Sequence, residues 1–202
     1  MVIKPREAAT AGVAMVVAMI SVAAAIAHGQ TAGPVAYAPD GKLLFPKDYR
    51  EWTFLSSGLG MAYTPGPAGS SPSFTNVFAN PEAYAAFQRT GTWPDKTMLV
   101  LEVRASSQNG SINKQGRFQA ARQGVEVHVK DTARFKGGWA FFGFNGEGPG
   151  QLIPQSAPCY SCHEAHGAVD TTFTQFYPTL MPVAEARKTL SAAYLAEEAR
   201  AH

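Results

Sequence analysis

Val125-Glu126-Val127-His128-Val129-Lys130 is the stretch that decides the fold of this 202-residue chain. Its valines alternate with polar residues, which is the two-residue period of a β-strand that buries one face. Two apolar, β-prone runs lie on either side of it, at 97–103 and 139–144. These three segments predict a β-sheet at the centre of the fold.

Shorter elements are predicted around these strands. The stretches 51–55 and 74–79 are further strand candidates, and the Gly-, Pro- and Ser-rich stretch 56–73 between them predicts a loop. Asn80-Pro81 is typical of a helix start. Helix-forming residues over 182–202 predict a C-terminal helix. The expected fold class is therefore α+β, mainly an antiparallel β-sheet with short helices and a C-terminal helix.

The only two cysteines of the chain lie in Cys159-Tyr160-Ser161-Cys162-His163. C-x-x-C-H is the attachment signature of a c-type haem, in which both thiols bond the porphyrin and the histidine binds the iron. We therefore predict one covalent haem c on Cys159 and Cys162, with His163 as the iron ligand. A redox dithiol, a zinc site completed by His166 and a disulfide are the alternatives. A dithiol gives no reason for His163, and a tetrahedral zinc site is strained by the adjacent Cys162 and His163.

The N-terminus has the pattern of an export signal. Lys4 and Arg6 precede an uncharged run over 8–27, which ends in the A-x-A cleavage pattern Ala25-Ile26-Ala27. We predict a signal peptide over 1–27, cleaved to give a periplasmic or secreted protein. An uncleaved N-terminal anchor is the alternative.

One domain is expected after the signal. We predict a lead-in over 28–41, a haem domain over 42–181 and a C-terminal helix over 182–202. The chain has a formal net charge of +2 and no basic patch, which argues against a nucleic-acid partner. Aromatic residues make up 11% of the chain, enough to build a core and to wall a cofactor.

The haem motif lies near the end of the chain, which argues against two classes of cytochrome. Small helical electron-transfer cytochromes carry the motif near the start and a methionine ligand well downstream, but here only Met181 follows it. A four-helix-bundle cytochrome needs long helical repeats before the motif. Met61 and Met98 are candidates for a sixth iron ligand, although methionine is more often core filler.

Six blocks of the chain resemble the cytochrome P-460 family in order and spacing, and together they cover 42–180. The blocks are 45–52, 80–84, 90–95, 124–131, 139–142 and the haem motif followed by 170–178. The resemblance implies a β-sheet-rich c-haem domain that usually forms homodimers. Two functional branches share that fold. Cytochrome P-460 proper oxidises hydroxylamine and bears a porphyrin bonded to a lysine, whereas the cytochrome c-prime-beta branch lacks that bond and binds nitric oxide or carbon monoxide.

By this resemblance the chain falls between the two branches. The cross-linking lysine lies just before a strand glutamate, which here is Glu102, so its position is taken by Leu101. Lys96 lies at the start of the strand, where it should not reach the same porphyrin carbon. A distal arginine of the enzymes matches Thr75. Glu126 matches the distal glutamate that accepts protons.

The sequence thus predicts an exported c-type monohaem protein that binds, and in one hypothesis redox-converts, nitric oxide or hydroxylamine. Glu126 is the candidate catalytic base, with an exposed strand glutamate as the alternative. Phe74 and Phe78 are candidates to line the distal face, although such aromatics are often core. His128 is expected to be a solvated or hydrogen-bonded strand residue. A periplasmic electron carrier with a six-coordinate haem and an unknown redox partner is the alternative function.

Overall fold

The computed structural model describes residue 1 and residues 35–62 and 70–201. The predicted signal peptide over 1–27 therefore lies outside the described residues, apart from Met1. Within the part of the chain that is described, no helix is both long enough and apolar enough to cross a membrane. The elements given below all belong to one unit, Thr31–His202.

Within the described residues, six strands pair in sequence order to form one antiparallel sheet. They are β1 (Thr53–Leu59), β2 (Phe74–Ala79), β3 (Met98–Ser107), β4 (Phe118–Lys130), β5 (Trp139–Phe144) and β6 (Gln151–Leu152). The predicted α+β class, with a mainly antiparallel sheet, is confirmed. β1 runs further than expected, because residues 56–59 of the predicted loop pair with β2.

In the part of the chain that the structure describes, four short α-helices accompany the sheet. They are α1 (Pro81–Thr90), α2 (Pro158–His166), α3 (Met181–Arg187) and α4 (Ala192–Ala201). α1 ends at Gly91, which takes a left-handed φ of 74° that glycine adopts without strain. The Asn80 side chain makes no capping bond to α1. Its Oδ1 instead accepts a hydrogen bond from the backbone N–H of Met98 (2.8 Å), which ties the start of α1 to β3.

The C-terminal region forms two helices where one was expected. α3 ends at Lys188, whose φ of 58° is a left-handed conformation that stops a helix. The Thr189 hydroxyl then donates to the carbonyl of Gly91 (2.7 Å), and the Ser191 N–H donates to the carbonyl of Ala168 (2.8 Å). These hydrogen bonds between distant segments stabilise the interruption between α3 and α4. Local helix propensity does not predict that interruption.

The two faces of the sheet carry separate apolar cores. The valines of β4 pack on one face against the N-terminal segment that contains Phe45 and Tyr49, and we call this the valine core. The other face is covered by α1, α3 and the chain around 169–180, with Phe87 and Trp93 buried between them. Because side chains alternate along a strand, the polar residues of β4 lie on this second, helix-bearing face.

Candidate functional site

A cavity of about 530 Å³ lies on the helix-bearing face of the sheet. Its volume is in the range of ordinary small-molecule and cofactor sites. Strands β1 to β5 contribute one side, and α2 with the chain that follows it contributes the other. Among the residues predicted as functional, Glu126, Cys159 and His163 all line this cavity.

Small or apolar side chains of β1 to β3 form what we call the distal wall of the cavity. Its members are Ser56, Gly58, Thr75, Val77 and Leu101. The strand register places Val77 opposite Leu101, and Leu101 opposite Glu126. Glu126 is the only charged side chain among the cavity-lining residues that the structure describes.

Two positions singled out by the resemblance both line the cavity. Leu101, expected at the position of the cross-linking lysine, and Thr75, expected at that of the arginine, belong to the distal wall. Lys96 lies before β3 begins, and its Nζ is 2.5 Å from Oδ1 of Asp131. Lys96 is therefore held by the Asp131 carboxylate at the start of β3.

β2 turns different residues to the cavity from those expected. Thr75 and Val77 line it, so the two-residue period places Phe74 and Phe78 on the opposite face. Phe78 packs against the valine core, with its ring centroid 5.5 Å from that of Tyr49. The expectation that Phe74 and Phe78 line the distal face does not fit this register. Both faces of β2 carry apolar residues, so the pattern alone could not select the correct one.

The two methionines considered as iron ligands lie on different faces of the sheet. Met98 is fully buried in the valine core, on the face away from the cavity. Met61 lines the cavity and is half-exposed. Of these two candidates, only Met61 has a side chain at the cavity.

α2 carries the two cysteines. Tyr160, which lies between them in sequence, holds the helix against β5. Cys159 and Cys162 are three residues apart, which places them on one face of the helix, and both are half-buried free thiols. Burial raises the pKa of the Cys159 thiol. The hydroxyl of Tyr160 donates to the carbonyl of Ile153 and accepts from the N–H of Phe141, each at 3.1 Å. These two bonds tie the haem motif to the edge of the sheet.

A backbone carbonyl holds His163 in the protonation state that a metal ligand needs. Nδ1 of His163 lies 2.7 Å from the carbonyl oxygen of Thr171. Because a carbonyl can only accept, Nδ1 carries the proton and Nε2 keeps its lone pair for a metal. Burial lowers the pKa of His163, against the opposing effect of this hydrogen bond, and so favours the neutral ring. The two thiols, this imidazole and the cavity fit a c-type haem.

His128 lines the cavity beside His163 and is not solvated, in contrast to one of the two expectations. It is only 6% exposed, stacked on Phe141 with ring centroids 3.9 Å apart and planes inclined by 9°. Its ring meets that of His163 edge-on at 5.1 Å. Burial lowers the pKa of His128 well below its usual value, and repulsion between the two rings when both are protonated acts in the same direction. The alternation of valines and polar residues along β4 predicts which face His128 lies on, but it does not show that other side chains cover that face.

His166 is turned towards the C-terminal helix. Its Nδ1 lies 2.8 Å from Oε2 of Glu197 in α4, and both side chains are largely exposed. This contact turns His166 towards α4 and away from the fourth-ligand role that the zinc alternative requires. Sequence reasoning did not identify the carbonyl of Thr171 as part of the site, because a backbone acceptor has no residue-type signal.

Comparison with known protein families gives a match to this chain. A family model described as Cytochrome P460 matches residues 46–174, a range that contains β1 to β6, α1 and α2. No curated protein matches the chain significantly.

Proposed function

The chain belongs to the cytochrome P460 family, and on that premise we propose that it is a c-type monohaem protein that binds small nitrogen ligands such as nitric oxide and hydroxylamine. Cys159 and Cys162 would hold the haem through thioether bonds, and His163 would bind its iron through Nε2. When bound, the haem supplies a redox-active iron with a coordination position for a small ligand. The protein's own residues decide which ligands reach that position and where their protons go.

The observation that carries this proposal is the composition of the cavity lining. Its distal wall is small, mostly apolar and uncharged, so it offers a diatomic or similarly small ligand space without fixed charges. Glu126 is the single carboxylate among the described lining residues, and it stands opposite Leu101 across the β3–β4 ladder. A carboxylate in that place can accept a proton from an N–H or O–H of a bound ligand, which is general-base chemistry.

Leu101 favours ligand binding over sustained turnover. Bonding of the protein to the porphyrin carbon requires an amine nucleophile, and the isobutyl side chain of Leu101 has none. We therefore expect a haem that is unmodified beyond its two thioethers. The spectrum should be that of an ordinary high-spin c-haem, with nitric oxide binding retained and hydroxylamine turnover weak or absent.

Optical spectroscopy of the purified haem protein tests this proposal. We expect a five-coordinate ferrous haem whose absorption bands shift on addition of nitric oxide or carbon monoxide. Hydroxylamine-dependent reduction of an artificial electron acceptor should be slow in the wild type. Glu126→Gln should retain nitric oxide binding and reduce whatever turnover exists, while Glu147→Gln, on an exposed loop, is the matched control.

Two outcomes would contradict the proposal. A ferrous haem that resists both nitric oxide and carbon monoxide would show that the iron has no free position. Robust multiple turnover of hydroxylamine that disappears in Glu126→Gln, but persists in Glu147→Gln, would place the protein among the enzymes and show that Leu101 does not prevent catalysis.

A second candidate function, electron transfer by a six-coordinate haem, is favoured by the place of Met61. A thioether is an axial ligand in electron-transfer cytochromes, and Met61 is a cavity-lining residue. In that case the wild-type ferrous haem would be low-spin, and Met61→Ala would convert it to a form that binds carbon monoxide. Met98→Leu, a volume-conserving change in the valine core, should leave the spectrum unchanged.

The cellular setting is part of the same proposal. The charged start, the uncharged run and the A-x-A pattern support export and cleavage after residue 27. We propose a periplasmic or secreted homodimer that exchanges electrons with a partner protein. The intact mass of protein matured in an exporting host, and its size by light scattering, would test cleavage and dimerisation separately.

A further inference from the structure

We propose that the turn over residues 169–172 is a clamp for the iron-binding histidine and that Lys130 of β4 is the positioning residue for this clamp. We call the turn the proximal clamp. The inference rests on the proposed binding of haem iron by His163, but it does not depend on which small ligand the haem takes. Lys130 touches neither His163 nor the cavity in any described contact, so its effect would pass through the turn.

The proximal clamp is a tight turn whose two ends are buried. The backbone N–H of Thr172 donates to the carbonyl of Val169 at 3.0 Å, and the Thr172 hydroxyl donates to the same oxygen at 2.8 Å. Val169 and Thr172 are each 1% exposed. Between them Asp170 takes a left-handed φ of 53°, which few residues other than glycine, asparagine and aspartate adopt readily. This arrangement presents the carbonyl of Thr171 to Nδ1 of His163.

Lys130 holds the exposed side of the clamp. Its Nζ donates to Oδ2 of Asp170 at 2.9 Å and to the carbonyl oxygen of Trp93 at 2.7 Å. The same ammonium lies 5.5 Å from the ring centroid of Trp139, and the lysine side chain is only 18% exposed. These three contacts restrict the position of the Lys130 ammonium. Its ion pair with Asp170 therefore anchors Asp170 to the end of β4.

The clamp cannot shift without disturbing His163, because the end of α2 lies in contact with it. A Cβ placed on Gly167 would stand 2.6 Å from the carbonyl oxygen of His163 and 2.8 Å from the backbone nitrogen of Thr172. Glycine is therefore required for this close approach. On the buried side, Nε1 of Trp93 donates to the Thr172 hydroxyl at 2.9 Å. With one end fixed by Trp93, loss of the Lys130 anchor would rotate the turn at Asp170 and Thr171.

Rotation of the turn would change the electron donation of the iron-binding histidine. A hydrogen bond from the ring N–H of a metal-bound histidine orients the ring and raises its basicity as a ligand. A more basic imidazole binds iron more strongly and stabilises the ferric state relative to the ferrous state. Weakening the bond from His163 to Thr171 should therefore lower the iron–histidine stretching frequency and raise the midpoint potential.

Resonance Raman spectra and redox titrations of the holoprotein test this inference. We expect Lys130→Met to lower the iron–histidine stretching frequency of the ferrous protein and to raise its midpoint potential, because methionine keeps the apolar stem and removes the charge. Asp170→Asn should shift both quantities in the same directions, since asparagine tolerates the left-handed φ and only the ion pair is lost. Lys130→Arg should restore wild-type values, and Lys114→Met, at an exposed lysine between β3 and β4, should not change them.

The proposal is overturned if Lys130→Met and Asp170→Asn both keep the wild-type iron–histidine stretching frequency and midpoint potential, even where one of the variants unfolds more easily. Lower stability with an unchanged spectrum would mean a structural role only. A wild-type ferrous protein without an iron–histidine band would remove the premise and overturn the inference as well. A wild type that shows the band but binds neither nitric oxide nor hydroxylamine would contradict the proposed function alone, and a shifted band in the two variants would still support the clamp.

Discussion

We predict that Glu102→Gln destabilises the protein at neutral pH and that this difference from the wild type disappears in acid. Glu102 is 3% exposed on the face of β3 away from the cavity. Its carboxylate accepts hydrogen bonds from the Tyr49 hydroxyl (2.8 Å), Nη1 of Arg104 (2.9 Å), Nδ2 of Asn76 (3.3 Å) and Nη2 of Arg50. Burial raises the pKa of this carboxyl, but the four hydrogen bonds outweigh it and lower the pKa to about 2.

The size of the effect follows from this pKa. The usual value for the carboxyl is 4.5, and a folded-state pKa of about 2 means that the ionised form stabilises the fold. Each tenfold change in proton affinity corresponds to about 1.4 kcal/mol, so the contribution is about 3 kcal/mol. A lowered carboxyl pKa gives stability that is present above the unfolded pKa. The contribution is lost as the pH falls from 4.5 through the folded pKa of about 2.

Urea unfolding followed by far-UV circular dichroism, at pH values from 7 to 2.5, would measure this contribution. Glutamine resembles a protonated glutamate, so Glu102→Gln should be less stable than the wild type by about 3 kcal/mol at pH 7 and by much less near pH 2.5. Glu147→Gln is the matched control, because Glu147 is exposed and its Oε1 lies 3.3 Å from Nη2 of Arg122. That surface pair should contribute below about 1 kcal/mol. The reasoning is refuted if the two variants show the same pH dependence.

Three further predictions concern the haem, the distal wall and the clamp. Serine at both cysteine positions should release the haem into acidified organic solvent, whereas the wild type should retain it, as an intact mass would show. Leu101→Lys should lower the free energy of unfolding in urea by at most about 1 kcal/mol, because the new ammonium would face Glu126 across the ladder. This loss is smaller than the one expected for a fully buried charge. Gly167→Ala should lower the free energy of unfolding by about 1–3 kcal/mol through overpacking. Gly148→Ala should lower it by less than about 0.5 kcal/mol, because a Cβ at Gly148 meets nothing within 4 Å.

Each of these has an outcome that contradicts it. Haem that stays with the double serine variant after acid treatment would argue against thioether attachment. A loss of several kcal/mol in Leu101→Lys would mean that the new charge finds neither Glu126 nor water. Equal stability of the Gly167→Ala and Gly148→Ala variants would show that the end of α2 and the clamp can separate, which would weaken the mechanical link proposed for Lys130.

The features that the sequence determined by itself are those set by local periodicity and spacing. The alternation over 125–130 defines a strand with two unlike faces, because side chains point to opposite sides at every step. The pair Asn80-Pro81 and the glycine at 91 mark the ends of α1, because proline suits a first turn and glycine a left-handed end. The spacing of the haem motif places two thiols on one face of a helix, and the order of the blocks identified the family.

The tertiary structure alone decided which faces meet the cavity and what orients the histidine. Phe74 and Thr75 are neighbours on β2, yet only Thr75 lines the cavity, because that choice depends on what covers each side of the sheet. The burial of His128 likewise depends on which side chains cover its face of the sheet. The carbonyl of Thr171 and the ammonium of Lys130 reach their partners through a turn and a strand that are distant in sequence. Local patterns predict elements, whereas long-range packing assembles the site.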